Sequence, residues 1–434
     1  MTSRTLEEWL DYQLSVHALG VDLGLARVRE VWRRMGVARV APVVITVGGT
    51  NGKGSTVAFL EAMLAASGKR VGCYTSPHLL RYNERVRVAG IDASDALLVE
   101  AFEHIEAARL SLPEQPITLT YFEFGTLAAL WIFAQSGLDA AVLEVGLGGR
   151  LDAVNIIDAD ASVVTTIDLD HQDWLGNDRA QIAREKAGIF RAGRPAVIGD
   201  AAAPEALAQS ARDIGAAIFE AGHDYRFEPA ENGWVWMAQE RRVALPAPAL
   251  VAPVQRANAA AAIAALHCLR DRIVVDDAAL AAGVRNARVS ARLQRFGKSG
   301  AAELVIDVAH NPQAAEVLAR WLALAPSRGR TLAVFGALAD KDIAGIVVPL
   351  IAAIDRWYVA GLDAETPRGL AASDLAARMD AAMATARECF ADVDRALDAA
   401  LAAARPDDRI LAFGSFHVAA PALAWAARNG FVAA

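Results

Sequence analysis

Short apolar runs alternate with longer helical patterns along most of the chain. Residues 43–47 (VVITV) read as a buried strand that enters a glycine-rich turn, with a helix beyond it over about 55–67. Further strands are predicted at 70–75, 140–145, 162–167 and 195–198, and a helix over 123–135. Near-continuous apolar strands alternating with helices predict a mostly parallel sheet covered on both faces. Residues 224–245 differ: Glu231-Asn232-Gly233 separates two strand-like runs, which predicts an antiparallel hairpin. The alanine-rich stretch 258–269 reads as a buried helix, and 346–354 (IVVPLIAAI) as a buried segment. Beyond the basic, glycine-punctuated stretch VSARLQRFGKSG the alternation restarts, with strands at 304–308, 331–335, 356–360 and 409–413 and a helix over 312–324. The expected fold class is α/β, with a large domain over 1–290, a linker over 291–300 and a smaller, Rossmann-like α/β domain over 301–434.

Composition narrows the function classes. The 434 residues are 54% hydrophobic and 22% charged, which excludes a disordered chain. Forty-three basic against 51 acidic residues give a net charge of −8, a poor balance for a nucleic-acid binder. No apolar run approaches the roughly 18 residues of a membrane span, and MTSRTLEEWLDYQ lacks the apolar core of a signal peptide. The three cysteines, Cys73, Cys268 and Cys389, lie far apart, which argues against a disulfide framework or zinc site. A cytoplasmic protein is expected, acting on small molecules rather than on nucleic acid or membrane. Only Lys53, Lys69, Lys186, Lys298 and Lys341 interrupt an otherwise arginine-only basic set, so each raises the question of what arginine cannot do there.

The run Gly49-Thr50-Asn51-Gly52-Lys53-Gly54-Ser55 between strand and helix has the chemistry of a phosphate-binding turn. Glycines let successive backbone amides face phosphate oxygens, and Lys53 adds a point charge. It departs from GxxxxGK[ST], since Gly54 follows the lysine; an ordinary glycine-rich turn is the competing reading, and strand context plus lysine favours a P-loop-type ATPase domain. Ser76, Glu144 and His171 lie at the ends of neighbouring predicted strands, on the rim where open parallel sheets bind ligands. A hydroxyl, a carboxylate and an imidazole suit a Mg²⁺ shell completed by phosphate and water, although His is a less usual ligand for so hard an ion. Taken singly, Ser76 caps a turn, Glu144 is a half-buried carboxylate and His171 a loop histidine. Lys186 reads as a surface lysine, but its rarity favours a role. In the second domain Asp307-Val308-Ala309-His310-Asn311-Pro312 and Gly414-Ser415 end strands and open helices, where capping and cleft-facing roles compete.

The strings GTNGKGS, SPHLLRYNERVRV, TYFEFGTLAAL, LEVGLGGRLDAVN, DHQDWLG, REKAGIF, RLQRF, DVAHNP, DKDIAG and GSFHVA, in this order, resemble the bacterial folylpolyglutamate synthase/dihydrofolate synthase family of the ATP-dependent Mur ligase superfamily. The resemblance implies a ligase that joins L-glutamate to dihydropteroate and adds further glutamates to tetrahydrofolate, acting as a monomer through an acyl phosphate. ATP is the co-substrate, and two Mg²⁺ ions are implied. Thr50, Asn51, Gly52, Lys53, Gly54, Ser55, Asn258, Arg292 and Asp307 match ATP-binding positions. Ser76, Glu144 and His171 match metal ligands, and Lys186 a lysine carbamylated in relatives, whose carbamate holds the second ion. Asp22, Leu23, Gly24, Thr120, Tyr121, Phe122, Glu123, Leu151, Asp152 and Ala153 match the pterin-aminobenzoate pocket. His310 and Ser415 match the glutamate region, so that Lys53, His171, Lys186 and His310 form the implied catalytic set. Val154 departs from the family's threonine in LDATN. A cell-wall Mur ligase is disfavoured because the phosphate loop begins by residue 48, leaving no room for a UDP-sugar domain. A GTPase switch is disfavoured because no NKxD string occurs.

Overall fold

Six consecutive buried residues form β1 (Val43–Gly48), whose lack of alternation is that of a strand covered on both faces. In the computed structural model, which describes residues 4–380 and 387–434, this strand belongs to the first of two units. That unit runs to Ala249 and resumes over Gln255–Arg288; the second comprises Leu250–Val254 and Val289–Ala434.

The first unit continues with β2 (Val71–Tyr74), β3 (Val86–Val88), β4 (Ile91–Asp92), β5 (Ala140–Glu144), β6 (Ala161–Val164), β7 (Pro195–Ile198) and β8 (Ala217–Glu220). Their order across the sheet is β4-β3-β2-β5-β1-β6-β7-β8. All pairs from β2 to β8 are parallel; β3 and β4 add an antiparallel edge. The order reverses at β1, with β5 and β2 on one side and β6 on the other, which opens a crevice at the carboxyl end of β1.

The helices of this unit are α1 (Leu6–Val16), α2 (Ala26–Met35), α3 (Lys53–Ala66), α4 (Asp95–Arg109), α5 (Tyr121–Gln135), α6 (Gln172–Leu175), α7 (Arg179–Ala187), α8 (Glu205–Ile214), α9 (Gln255–Cys268) and α10 (Asp277–Asn286). α5 begins in a capping box: Thr120 Oγ1 accepts from Glu123 N, and Glu123 Oε2 accepts from Thr120 N. Every residue from Ala259 to Leu266 of α9 is buried, because alanines let it lie close against α3. The expected hairpin is a three-stranded meander, β9 (Tyr225–Ala230), β10 (Gly233–Ala238) and β11 (Arg241–Leu245), with the third strand following a second tight turn.

The second unit holds β12 (Gln294–Gly297), β13 (Glu303–Ile306), β14 (Thr331–Phe335), β15 (Arg356–Ala360), β16 (Arg387–Phe390), β17 (Arg409–Phe413) and β18 (Val432–Ala433), in the order β16-β15-β14-β17-β13-β12-β18. Its helices are α11 (Pro312–Leu324), α12 (Ile343–Val347), α13 (Ala372–Asp380), α14 (Val393–Ala403) and α15 (Phe416–Arg428). The stretch 291–300, expected as a linker, is corrected here. It carries β12, whose residues pair antiparallel with β13 and satisfy their backbone groups in the sheet. It pairs on its other side with β18, so a basic, glycine-punctuated stretch is here a strand inside the sheet rather than a connection. The segment 346–354 is only partly buried: Val348 is exposed while Ile346, Val347 and Leu350 face the core.

The close α9–α3 packing sets a stability test. Replacing the fully buried Ala262 by Leu is expected to lower the unfolding free energy by about 1–3 kcal/mol through overpacking, as read from denaturant melts.

Candidate active site

The carboxyl end of β1 turns into α3 through Gly49 and Gly52, both at positive φ. A Cβ on Gly49 would meet Thr165 Oγ1 at 1.9 Å, and one on Gly52 would meet Asn258 Oδ1 at 2.5 Å, so neither position admits a side chain. The segment after β6 braces the loop. Thr50 N donates to Thr166 O (2.8 Å), Asn51 N to Thr166 Oγ1 (3.1 Å), and Thr165 Oγ1 to Asn51 O (2.6 Å). α3 has no side-chain cap, which leaves its first amides to an anion.

Lys53 Nζ donates to the carbonyls of Gly49 (3.0 Å) and Thr50 (3.1 Å). Lys186, at the end of α7 and buried, donates to the same Gly49 carbonyl at 3.1 Å. Burial, and then the neighbouring Lys53 charge, push the Lys186 amine down to about 7. These lysines line one concavity with Asp170, His171, Gly146 and Leu175. His171 sits at φ 51, an uncommon conformation for a non-glycine residue, on an exposed turn whose amide donates to Asp170 Oδ1 (2.9 Å).

Glu144, at the end of β5, is 5% exposed and accepts from Ser76 N at 3.2 Å. A Cβ on Gly54 would stand 3.7 Å from both of its oxygens, at ordinary contact distance, so the carboxylate borders the phosphate loop. Glu144 and Ser76 together offer hard oxygen donors, which fit a divalent cation. Among the described residues no cluster of three or more His, Cys, Asp or Glu could hold a metal. A cation here would therefore need ligands beyond clustered carboxylates, such as hydroxyl, imidazole, phosphate and water.

The residues matched to the pterin pocket divide by role. Tyr121 and Phe122 are half-buried, and the Phe122 ring packs against Gly146, where a Cβ would come within 2.6 Å of it. Thr120 and Glu123 form the α5 capping box. Asp152 is buried, with Oδ1 accepting from Val154 N (3.0 Å) and Oδ2 from Leu147 N (2.8 Å). Burial nevertheless raises its carboxyl to about 6. Leu151 and Ala153 flank it, and Asp22, Leu23 and Gly24 lie half-buried on the loop before α2.

In the second unit, Asp307 accepts from Leu293 N (2.8 Å) and Ala309 N (2.7 Å), and burial raises its carboxyl. His310 Nδ1 lies 2.9 Å from Val308 O, a carbonyl that can only accept, so this ring nitrogen is the donor. Its ring approaches Phe416, over which the Arg292 guanidinium lies at 5.9 Å. Asn311 caps α11, and the buried Ser415 caps α15 through His417 N at 3.1 Å.

Comparison with known proteins decides the family. The Mur ligase middle domain matches residues 47–226, and the Mur ligase glutamate ligase domain residues 291–416. The Escherichia coli dihydrofolate synthase/folylpolyglutamate synthase is 45% identical over 96% of this chain and 94% of its own. The chain belongs to the dihydrofolate synthase/folylpolyglutamate synthase family. The Haemophilus influenzae member is 38% identical over 96% of both chains. A structure of Escherichia coli FolC in complex with DHPP and ADP superposes with a TM-score of 0.91 at 43% identity, covering 99% of both chains. A family structure with Mn, AMPPNP and L-glutamate bound gives 0.87 at 44% identity, covering 97% of this chain and 98% of the other. This member is thus an ATP-dependent, amide-forming ligase of Mur type.

Sequence reasoning missed Gln255. Its Nε2 donates to Ser55 Oγ (3.2 Å), and its Oε1 accepts from Asn258 Nδ2 (2.9 Å). The i,i+3 spacing of two amides on an otherwise alanine helix was the available signal. The bracing Thr165 and Thr166 were also missed.

Lys53→Ala is expected to abolish ATP turnover while far-UV dichroism and melting stay near wild type, since the loss is local and electrostatic. Near-normal ADP release would reject the phosphate-loop assignment.

Proposed function

We propose that this ligase joins L-glutamate to dihydropteroate, giving dihydrofolate, and adds further glutamates to tetrahydrofolate. The observation that carries this reading is the convergence of Lys53 and Lys186 on one carbonyl beside the uncapped start of α3. Such a place binds the phosphates of ATP. A carboxylate is a poor electrophile, because its charge repels nucleophiles. Its oxygen attacks the γ-phosphorus, ADP leaves, and the acyl phosphate then carries a good leaving group. The glutamate amine attacks the acyl carbon, loses its proton, and phosphate departs. Catalysis consists of holding these partners in line and neutralising phosphate charge.

Thr50, Asn51, Gly52, Gly54 and Ser55 are assigned to the phosphates: Thr50 and Asn51, whose amides donate to Thr166, shape the turn, Gly52, Gly54 and Ser55 supply amides and a hydroxyl, and Lys53 supplies charge. Asn258, and Arg292 and Asp307 of the second unit, are assigned to the nucleotide. Ser76, Glu144 and His171 would hold one Mg²⁺ and a carbamate on Lys186 another. Bound Mg²⁺ would neutralise charge developing on the transferring phosphoryl group. Burial favours an uncharged Lys186 amine, which can add CO₂; a guanidinium cannot readily do so. Tyr121 and Phe122 offer flat apolar surface to the pterin-aminobenzoate rings, with Asp22, Leu23, Gly24, Leu151, Asp152 and Ala153 completing the pocket and Thr120 and Glu123 its frame. His310 and Ser415 are assigned to glutamate.

ADP release measured with dihydropteroate or tetrahydrofolate as acceptor, under saturating ATP and glutamate, tests the reading. Turnover with both is expected, and glutamate-independent release with neither stimulating it would overturn it. For the carbamate, Lys186→Ala is expected to lose activity and regain part of it with added short carboxylic acids. A fully active Lys186→Arg enzyme would contradict it.

A further inference from the structure

Arg27 stands in the first turn of α2 and belongs to none of the site positions assigned above. Its guanidinium forks between two segments remote in sequence. Nη1 donates to Asp22 Oδ2 (2.5 Å), and Nη2 donates both to the Asp22 carbonyl (3.0 Å) and to Glu123 Oε1 (3.1 Å). The far end of this bridge is anchored. The Glu123 side chain is only 4% exposed, and its other oxygen holds the amide of Thr120 at the start of α5 (2.7 Å). His17 Nε2 closes the near end on Asp22 Oδ2 at 3.3 Å.

The loop that Arg27 grips has little else to hold it. Residues 19–24 form no helix or strand, and their apolar side chains Leu19 and Val21 point to solvent rather than into the core. The docking of α2 itself does not need Arg27, since Val28 and Val31 supply its buried face. Arg27 Nε is moreover buried without a hydrogen-bond partner, a cost that folding alone gives no reason to keep. A planar fork suits this three-point grip, and a single ammonium does not reproduce it.

We propose that Arg27 is a positioning residue for the pterin-bearing acceptor: it ties the Asp22–Gly24 loop to the first turn of α5, so that the two walls of the acceptor pocket are in place before substrate arrives. This rests on the assignment of Asp22–Gly24 and Tyr121–Phe122 to the acceptor. The hydrogen bonds of Arg27 go to Asp22 and Glu123 and to no residue assigned to the nucleotide, so its loss is expected to act on acceptor affinity.

The test compares Arg27→Leu, Arg27→Lys and Phe122→Ala by steady-state kinetics with dihydropteroate, ATP and glutamate, alongside thermal melts of the full-length enzyme. Arg27→Leu is expected to raise the KM for dihydropteroate by about tenfold or more, as for truncating one partner of a hydrogen-bonded charge pair, with the KM for ATP unchanged. Arg27→Lys is expected to recover part of the loss, and it serves alone if the Leu variant does not fold. An unchanged dihydropteroate KM in the Arg27 variants, while Phe122→Ala raises it, would overturn the tether and leave the pocket standing. An unchanged KM in Phe122→Ala would overturn the pocket assignment itself. A parallel rise in the KM for ATP, tracking a fall in melting temperature, would reduce Arg27 to a fold contact and also overturn the proposal.

Discussion

Two lysine side chains meet at the carbonyl of Gly49: Lys53, which also donates to the Thr50 carbonyl, and Lys186, whose amine burial and the Lys53 charge push towards the neutral form. The uncapped amides of α3 add a further partial positive charge at the same place. In a protein of net charge −8 these groups gather local positive charge, with Asp170 in the same concavity and Glu144 at its border. The remaining features of the phosphate loop serve to keep that carbonyl and those amides where they are. Thr165 and Thr166 fasten the loop from the side of β6. Gln255 and Asn258 support it from α9, and the glycines make room for this support.

Topology explains why residues more than a hundred positions apart share this field. The chain order reverses at β1, so the ends of β2, β5, β1 and β6 stand side by side. Ser76, Glu144, the phosphate loop and the His171 turn follow from those four ends in that order. The pairing of Val47 with Glu144 and of Gly48 with Val164 sets the ends of β5, β1 and β6 at one level. A parallel sheet places its loops by register, and a shift of register at β5 would carry Glu144 away from Gly54.

The strands with continuous apolar runs were legible in the sequence to within a residue or two, because burial on both faces writes itself into composition. Thr331–Phe335, Arg356–Ala360 and Arg409–Phe413 are such cases. Edge strands were not. Arg387–Phe390 and Ala217–Glu220 have no fully buried residue, and Gln294–Gly297, although paired on both sides, carries an exposed arginine, so each resembles a loop by pattern alone. Among candidate site residues, Lys53, Glu144 and His171 stand out in the sequence because a polar group at or beyond the end of a buried strand has chemical meaning. Gln255 and Arg27 do not, because each acts by reaching a segment that only tertiary structure brings near.

The motif TYFE shows how shape and chemistry divide within a few residues. Thr120 and Glu123 commit three of their side-chain contacts to backbone amides and to Arg27, while Tyr121 and Phe122 between them keep their rings partly open. Capping boxes stabilise a helix start by about 1 kcal/mol, too little to explain a buried carboxylate at this position. Glu123 gains more by serving two elements at once, since its second oxygen fixes the arginine that holds the Asp22 loop. The helix cap and the loop before α2 are thus one network, joined through Arg27, and the start of α5 and the Asp22 loop are held by the same carboxylate.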